Sequence, residues 1–176
     1  MASYKELLPN INTFIFDVDG VFTNSSVLLM PDGEMVRTMS VRDGYAIQLA
    51  IKKGFNVCII TGGRANAVKK RFEGLGVIDI HLGVSNKKEV LLSYLENNKI
   101  KPEQVIYMGD DIPDYEVMQL VGLPCCPVDA VPEIKSVSAY VSPIKGGEGC
   151  VRDVVEQTLK VHGKWMDHLA TSVTSV

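Results

Sequence analysis

Each of four polar clusters in this sequence follows a run of apolar residues, and together they hold the groups that phosphoryl transfer requires. The clusters are Asp17 with Asp19, Thr61 with Gly62, Lys87, and Asp110 with Asp111. Grouped carboxylates repel one another, and Mg²⁺, a hard cation with oxygen ligands, relieves that repulsion. A hydroxyl, backbone N–H groups and a lysine ammonium would bind the phosphate oxygens. The clusters therefore predict phosphoryl transfer through an aspartyl phosphate.

Two of the clusters, taken alone, also have an ordinary structural explanation. Asp17-Val18-Asp19-Gly20 has the composition of a turn, and Lys87 beside Lys88 has that of a solvated surface. Chemistry is favoured because every cluster lies where a predicted strand ends or a following helix begins. Ligands of open parallel sheets bind in the crevice outside the carboxyl ends of the strands. We therefore expect one shared site, with Lys87 in the first turn of one helix and Thr61-Gly62 at the amino end of another.

The elements that must position these residues are indicated by short apolar runs that alternate with amphipathic stretches. We predict strands over 13–16, 55–60, 78–82, 105–108, 123–127 and 139–141, and helices over 43–53, 65–75, 86–97, 114–121 and 151–161. Two β-favouring segments around Pro31-Asp32-Gly33 predict a hairpin over about 25–40. The fold class is therefore α/β: a doubly wound, mostly parallel Rossmann-like sheet with an inserted β-hairpin, with one domain over 1–161 and a tail over 162–176.

Composition and charge exclude several classes of protein. Hydrophobic residues make up 46% of the chain, which is too much for a disordered chain, and the formal net charge of −3 provides no field for nucleic acid or an anionic membrane. We expect a cytoplasmic protein, because no apolar run is long enough to span a bilayer and the first residues do not read as a leader. Cysteines and histidines lack metal-site spacing, so structural roles are expected for Cys58, Cys125, Cys126, Cys150, His81, His162 and His168.

Taken together, the clusters resemble the four motifs of the haloacid dehalogenase superfamily of phosphatases in order and spacing. The resemblance is carried by Phe16-Asp17-Val18-Asp19-Gly20-Val21, Thr61-Gly62, Lys87 and Gly109-Asp110-Asp111. It implies that Asp17 is the nucleophile and that Asp19 protonates the leaving alcohol and then activates water. It also implies phosphate binding by Thr61, Gly62 and Lys87. The implied ligands of Mg²⁺ are Asp17, the Asp19 carbonyl and Asp110, with Asp111 and Asp114 in supporting roles.

The intervals between the motifs leave no room for the separate cap domain that many members of the superfamily carry. The segment from Asp17 to Thr61 is filled by the hairpin and a helix, and that from Lys87 to Asp110 by a helix and a strand. A phosphatase of small molecules still needs walls around its substrate. Either the substrate is a macromolecule or a neighbouring subunit closes the site, and we expect the second.

Further residues resemble the capless subfamily that contains the 3-deoxy-D-manno-octulosonate 8-phosphate phosphatases. They are Val41-Arg42-Asp43-Gly44-Tyr45, Arg71, Gly83-x-Ser85-Asn86-Lys87 and Gly146-Gly147-x-Gly149. The resemblance implies hydrolysis of that sugar-acid phosphate in lipopolysaccharide precursor synthesis, by a homotetramer whose hairpins and tails help close neighbouring sites. The alternative is a phosphatase of nine-carbon, sialic-type acid 9-phosphates.

Two other classes of protein are disfavoured. A signalling receiver domain, which also uses an aspartate as phosphoacceptor, would not place it on the first strand beside a second carboxylate. A catalytically silent interaction module would lack Asp17 or Asp19, and both are present.

A sugar-acid substrate carries a carboxylate in addition to its phosphate, and arginine matches a carboxylate with two parallel hydrogen bonds. The predicted substrate-binding residues are Arg42, Arg64 and Arg71, acting in the crevice or from a neighbouring subunit. Solubilisation of the surface is the alternative role for each of them. The family pattern has arginine directly after Thr-Gly, whereas this chain has Gly63 there and Arg64 one place later.

Overall fold

Eight β-strands form a six-stranded sheet and a separate hairpin in the computed structural model, which describes residues 3–167. The strands are β1 (Thr13–Phe16), β2 (Leu28–Leu29), β3 (Met35–Val36), β4 (Asn56–Ile60), β5 (Asp79–His81), β6 (Val105–Met108), β7 (Leu123–Cys126) and β8 (Tyr140–Val141). The sheet order is β5-β4-β1-β6-β7-β8, and every pair in it is parallel. The chain therefore builds one half of the sheet outward from β1 and then returns to build the other half, which confirms the doubly wound prediction.

Seven α-helices cover the two faces of the sheet. They are α1 (Tyr4–Leu7), α2 (Val41–Lys52), α3 (Asn66–Gly74), α4 (Lys87–Asn98), α5 (Tyr115–Met118), α6 (Pro132–Val137) and α7 (Cys150–Val161). Apolar residues of α2, α3 and α7 pack on one face, and those of α4, α5 and α6 pack on the other. None of the helices in residues 3–167 has the length and apolar character needed to cross a membrane.

The central strand shows why the apolar runs form strands. All four residues of β1 are fully buried, with Phe14 and Phe16 in the core beneath α2 and Ile15 in the opposite core. Successive side chains of a strand point to opposite faces, so only a strand buried on both faces reads as an unbroken apolar run. Burial of each such apolar side chain stabilises the folded protein by about 1.5–3 kcal/mol. β1 is therefore held firmly in the sheet, and the position of its carboxyl end is fixed.

The ends of the helices follow local capping chemistry more closely than the apolar pattern. Ser40 caps α2 by accepting from the backbone N–H groups of Arg42 and Asp43, so α2 starts at Val41, two residues before the predicted start. Asn86 caps α4 in the same way and leaves Lys87 as the first helical residue, as predicted.

Two predicted regions differ clearly from the structure, and two short helices were not predicted. The hairpin strands are two residues each, and the helix predicted over 114–121 is a 3₁₀ turn (Ile112–Asp114) followed by the single turn of α5. The short helices α1 and α6 were not predicted, because one or two turns show no clear periodicity. The four cysteines are buried and free, as expected. Trp165 packs partly buried on the core, and the rest of the predicted tail from His168 lies outside the described residues.

Candidate active site

The residues predicted for catalysis, phosphate binding and metal binding meet at the carboxyl edge of the sheet, where β1 lies between β4 and β6. They line one cavity of about 530 Å³. The residues brought together there are Asp17, Asp19, Thr61, Gly62, Lys87, Asp110, Asp111 and Asp114. This is the point where the chain reverses its winding direction, and it is the place where open α/β sheets bind their ligands.

Asp17 is held at this edge by the ladder of the sheet. Its backbone N–H donates to the Met108 carbonyl at 3.0 Å, so the pairing of β1 with β6 continues one residue past β1. The Asp17 side chain is buried, and its Oδ2 lies 3.1 Å from Nζ of Lys87. The strand thus places a carboxylate in the cavity and α4 supplies the opposing cation.

Lys87 joins Asp17 to a second buried carboxylate. Its Nζ donates to Oδ1 of Asp114 at 2.7 Å, and the Tyr107 hydroxyl donates to the same oxygen at 2.6 Å. Lys87 is only 7% exposed, which removes the interpretation of a solvated surface lysine, whereas its neighbour Lys88 is exposed. Burial alone would lower the pKa of Lys87, but the Asp114 and Asp17 carboxylates raise it above its usual value. The ammonium therefore stays charged inside the cavity.

Two glycines allow Asp110 and Asp114 to approach the site. A β-carbon at Gly20 would lie within hard contact of the Asp110 carboxylate, and Gly20 has a φ of +85° that favours glycine. A β-carbon at Gly109 would collide with Cβ of Asp114. The glycines of Asp-x-Asp-Gly and Gly-Asp-Asp are therefore needed for close packing of the carboxylates.

The carboxylates of this cavity repel one another. Burial, and secondarily Asp114, raises the pKa of Asp17 to about 6, although Lys87 opposes the shift. Burial, and secondarily Asp17, raises the pKa of Asp110 to about 7. Two neighbouring carboxyl groups that resist ionisation, through burial first and mutual repulsion second, would both be stabilised in their charged form by a nearby cation.

The donor set fits a small divalent cation. Carboxylate oxygens of Asp17, Asp110 and Asp114 lie within 4.8 Å of one another. Oδ1 of Asp17 and Oδ2 of Asp114 are buried and have no hydrogen-bond partner in the described part of the chain. Such oxygens are costly unless a cation or a donor faces them, and Mg²⁺ prefers a few carboxylates together with water and phosphate oxygens. Asp114, predicted in a supporting role, thus belongs to the carboxylate cluster itself.

Thr61 and Gly62 lie on the opposite wall of the cavity. Thr61 is buried at the end of β4, and its hydroxyl accepts from the Gly63 N–H at 3.1 Å. The helix after this loop begins at Asn66, so Thr61 and Gly62 are not at its amino end, contrary to the prediction. The loop offers its hydroxyl and backbone N–H groups without the helix dipole.

Asp19 faces the hairpin instead of the other carboxylates. Arg37 follows β3, and its Nε and Nη2 donate to Oδ1 and Oδ2 of Asp19 at 2.6 and 2.9 Å. Arg37 was not predicted from the sequence, because only the folded hairpin brings it next to Asp19. Tyr107 was missed too, although a tyrosine in a fully buried strand signals a hydroxyl that needs a partner.

None of the three predicted arginines lines the carboxylate cavity in this chain. Arg42 is exposed near the start of α2 beside Glu148, and Arg71 lines a second cavity beneath the hairpin with its guanidinium over Gly44. Arg64 lies over Gly83, next to the Thr61 loop. Because none of the three lines that cavity, their role in binding substrate, in the crevice or from a neighbouring subunit, stays a prediction.

Comparison with known proteins places the chain among phosphate ester hydrolases. Residues 73–152 match the model of the haloacid dehalogenase-like hydrolases. The chain is 40% identical over 155 residues to the 3-deoxy-D-manno-octulosonate 8-phosphate phosphatase of Salmonella typhi, covering 88% of this chain and 82% of that protein. It is 39% identical to the enzyme of the same name from Yersinia pestis, with 88% and 83% covered.

Solved structures give the same grouping. The crystal structure of the Yersinia pestis phosphatase superposes with a TM-score of 0.88 at 38% identity, covering 91% of this chain and 86% of the other. The Moraxella catarrhalis phosphatase, solved with a magnesium ion, a phosphate ion and the sugar acid, superposes with a TM-score of 0.90 at 28% identity, covering 95% and 96%.

Proposed function

Because this chain belongs to the 3-deoxy-D-manno-octulosonate 8-phosphate phosphatases of the haloacid dehalogenase-like hydrolases, we propose that it hydrolyses that phosphate ester with Mg²⁺. The products are the free sugar acid, a precursor for lipopolysaccharide, and inorganic phosphate. The observation that carries the proposal is the buried Asp17 carboxylate, which faces Lys87 and two further carboxylates at the reversal point of the sheet. A nucleophile, a cation for phosphate oxygens and a cation-binding cluster are thus within one cavity.

The first half of the reaction transfers the phosphoryl group to the protein. A carboxylate oxygen of Asp17 forms a bond to phosphorus while the bond from phosphorus to the sugar oxygen breaks. Asp19 gives its proton to that sugar oxygen, and the neutral alcohol leaves. Lys87, Thr61 and the Gly62 N–H hold the phosphoryl oxygens as negative charge shifts between them.

The second half of the reaction restores the protein. Asp19, now ionised, takes a proton from a water molecule, and the water oxygen attacks phosphorus of the aspartyl phosphate. The bond between phosphorus and Asp17 breaks, and inorganic phosphate is released. The same side chain serves first as acid and then as base, so Asp19 must be free to hold a proton at the start of each cycle.

Mg²⁺, when bound, offsets the negative charge that the carboxylates and the phosphate bring together. We propose that Asp17, Asp110 and the backbone carbonyl of Asp19 hold it, with Asp114 beside them. The raised pKa values of Asp17 and Asp110 support this ligand set. So do Oδ1 of Asp17 and Oδ2 of Asp114, which are buried and have no hydrogen-bond partner in the described residues. Asp111 lines the cavity, and its side chain accepts from the Ile112 N–H at 2.8 Å, so its role is to shape the loop.

We also propose that the enzyme is a cytoplasmic homotetramer in which a neighbour's hairpin helps close the site. The hairpin strands carry exposed apolar side chains, and Leu28 and Leu29 are 64% and 69% exposed. Clustered exposed apolar residues mark interaction surfaces. In residues 3–167 the catalytic cavity has no cap over it, so a wall from another subunit would shield the reaction from bulk water.

Phosphate release from purified protein with Mg²⁺ tests the substrate. We expect kcat/KM for the eight-carbon acid 8-phosphate to exceed that for a nine-carbon acid 9-phosphate by roughly tenfold or more. This ratio corresponds to a difference of about 1.4 kcal/mol or more in transition-state binding. A preference of the same size for the nine-carbon substrate would identify the alternative phosphatase. Equal and weak rates on both would contradict the substrate assignment and leave only the phosphatase chemistry.

A further inference from the structure

The ion pair of Arg37 and Asp19 forms part of the wall between two cavities. Asp19 lines the catalytic cavity, and Arg37 lines a second cavity of about 300 Å³ between the hairpin and α3. The pair lies against the phosphate loop, because a β-carbon at Gly63 would be 3.5 Å from Oδ2 of Asp19 and 3.7 Å from Nη2 of Arg37. A substrate whose phosphate lies beside Asp17 would extend past this pair.

The pair as it stands is incompatible with the proposed work of Asp19. Both carboxylate oxygens of Asp19 accept from the guanidinium, at 2.6 and 2.9 Å, and the Arg37 side chain is only 9% exposed. A general acid must turn one of those oxygens towards the leaving oxygen and lie within hydrogen-bond reach of it. The pair therefore has to open in each cycle, and something has to replace Asp19 as the partner of a nearly buried guanidinium.

We propose that Arg37 binds the carboxylate of the substrate and that it does so by exchanging Asp19 for that carboxylate. The inference rests on the proposed function, because it requires an anionic group at the end of the substrate remote from the phosphate. Arginine binds one carboxylate at a time with two parallel hydrogen bonds. When the substrate carboxylate takes those bonds, the Asp19 side chain is released from the guanidinium and is free to turn towards the leaving oxygen. A phosphate ester without a carboxylate leaves Asp19 paired.

The positions of the other arginines favour Arg37. Among the ion pairs of the described residues, the Arg37 pair is the one that joins an arginine to the catalytic cavity, since the Arg152 pair is with Glu156. Arg71 lines the second cavity but has its guanidinium over Gly44. The hairpin that carries Arg37 also holds it in place, because its Nη1 donates to the Met35 carbonyl at 2.9 Å.

The test compares the acid substrate with its C1 amide, which has the same shape and no negative charge. In the wild-type protein we expect kcat/KM to be roughly 30-fold higher for the acid, the size of a charge-assisted pair. In Arg37→Met the ratio of kcat/KM for the acid to that for the amide should fall towards one, because the value for the acid falls while the value for the amide rises. KM for the acid rises because its partner is gone, while kcat for the amide rises because Asp19 is no longer paired.

Two comparisons make the result specific. Arg37→Lys keeps the positive charge but lacks the two parallel N–H donors of a guanidinium. It should therefore restore part of the preference for the acid over the amide that Arg37→Met loses. Arg152→Met removes an arginine from α7, where the guanidinium pairs with Glu156 at 3.1 Å, and should leave the ratio at the wild-type value. Circular dichroism melting of each variant shows whether the protein is folded, so that a general loss of structure is not mistaken for loss of the pair.

The possible failures are distinguishable. If Arg37→Met keeps the wild-type ratio, or if the ratio is lost in Arg71→Met instead, the assignment of Arg37 is overturned. If wild-type protein turns over acid and amide equally, the exchange is overturned while the phosphatase remains. If wild-type protein with Mg²⁺ releases no phosphate from either compound, the proposed function itself fails.

Discussion

At the residue scale, the buried ammonium of Lys87 is the link between two carboxylates of the site. It lies 3.1 Å from Asp17 and 2.7 Å from Asp114, and it is the first residue of α4, where the helix dipole disfavours a cation. Packing and capping by Asn86 hold it there against that preference. The unfavourable interaction with the helix dipole persists only because the surrounding structure holds the ammonium in place. An unfavourable arrangement that the structure enforces is typical of a functional site.

Replacing Lys87 with methionine tests this role. Lys87→Met keeps the volume of the side chain and removes the charge, so Asp17 and the phosphate lose their shared cation. We expect kcat to fall by roughly 100-fold or more, as for the loss of one transition-state donor, in a phosphate-release assay.

Lys88→Met is the matched control for that experiment. Lys88 is the next residue of the same helix, and its ammonium lies 3.6 Å from Glu116 at the exposed surface. We expect its kcat to stay within a factor of about two of wild type, as for an exposed ion pair. A similar loss in both variants would point to damage to α4 and would count against the role of Lys87.

The position of a side chain in the cavity was predictable where that side chain directly follows a strand end or a helix cap. Asp17, Thr61, Asp110 and Lys87 converge because each stands next to such an end. The partner of Asp19 was not predictable, because Arg37 is 18 positions away along an irregular hairpin. The part taken by Tyr107 also depends on which face of β6 meets Asp114, and an unbroken apolar run does not reveal that face.

At the scale of elements, the loop after β1 holds its carboxylates only because Gly20 has no side chain. In Gly20→Ala the new β-carbon would collide with the Asp110 carboxylate, at a φ of +85°. We expect Asp110 to be displaced and the Mg²⁺ concentration for half-maximal activity to rise by roughly tenfold, as for the loss of support around a metal ligand.

Gly33→Ala separates backbone strain from this collision. Gly33 has nearly the same φ, +86°, but no atom lies within 4 Å of a β-carbon built there. Both variants pay about 1–2 kcal/mol for the left-handed backbone, measurable as a lower melting temperature. A Mg²⁺ requirement that rises equally in both variants would contradict the packing argument.

Asp43 in the first turn of α2 makes the stability of this element depend on pH. Burial, opposed by hydrogen bonds to the Arg152 and Gly149 N–H groups, raises the pKa of Asp43 to about 6. The folded protein therefore binds this proton more tightly than the unfolded chain does. The stabilisation that results is complete below about pH 4 and is lost as the pH rises to about 6.

Asp43→Asn removes that dependence while keeping an oxygen to accept from the Arg152 N–H, which lies 2.7 Å away. Between pH 4 and pH 7 the wild-type protein should lose about 2–3 kcal/mol of its free energy of unfolding that the variant does not lose, so the difference between the two changes by that amount in favour of the variant. Urea unfolding at the two pH values measures it. A difference between variant and wild type that is the same at both pH values would show that Asp43 does not titrate in this range.

The lengths of the elements were less predictable than their existence. Strands β1 and β6 match their predicted bounds, since each is buried on both faces and ends at a turn. The hairpin strands, predicted over 27–30 and 34–40, have only two residues each, because β-favouring residues continue beyond the two pairs that hydrogen-bond. Such residues on an exposed hairpin fit the proposed contact with a neighbouring subunit.

At the scale of the whole molecule, the exposed hairpin supports the proposed tetramer. Leu29→Glu would place a charge on its apolar face, where the side chain is 69% exposed. We expect analytical ultracentrifugation to show dissociation and kcat/KM to fall with it, because the neighbouring wall is lost. Ile78→Glu, at an exposed apolar position of 89% outside the hairpin, should leave assembly unchanged. Unchanged assembly in Leu29→Glu would contradict the hairpin as the interface.

The architecture followed from the sequence because every level gave the same answer. Unbroken apolar runs, amphipathic helices and polar strand ends all indicate a doubly wound sheet with its site at one edge. The contacts across the hairpin were beyond sequence reasoning, because they depend on how two short strands fold over α3. The arrangement of subunits depends on a second copy of the chain and is likewise not encoded in local patterns.

The most direct test of the account is to trap the phosphoryl group on the protein. Asp19→Asn should accept the phosphoryl group from an aryl phosphate, whose leaving group needs no proton from Asp19, but fail to activate the water that removes it. Acid quench and peptide mass spectrometry should then find one phosphoryl group on the peptide that contains Asp17, and none in Asp17→Asn. A phosphoryl group on another residue, or phosphate release by Asp17→Asn at the wild-type rate, would contradict the central role of Asp17.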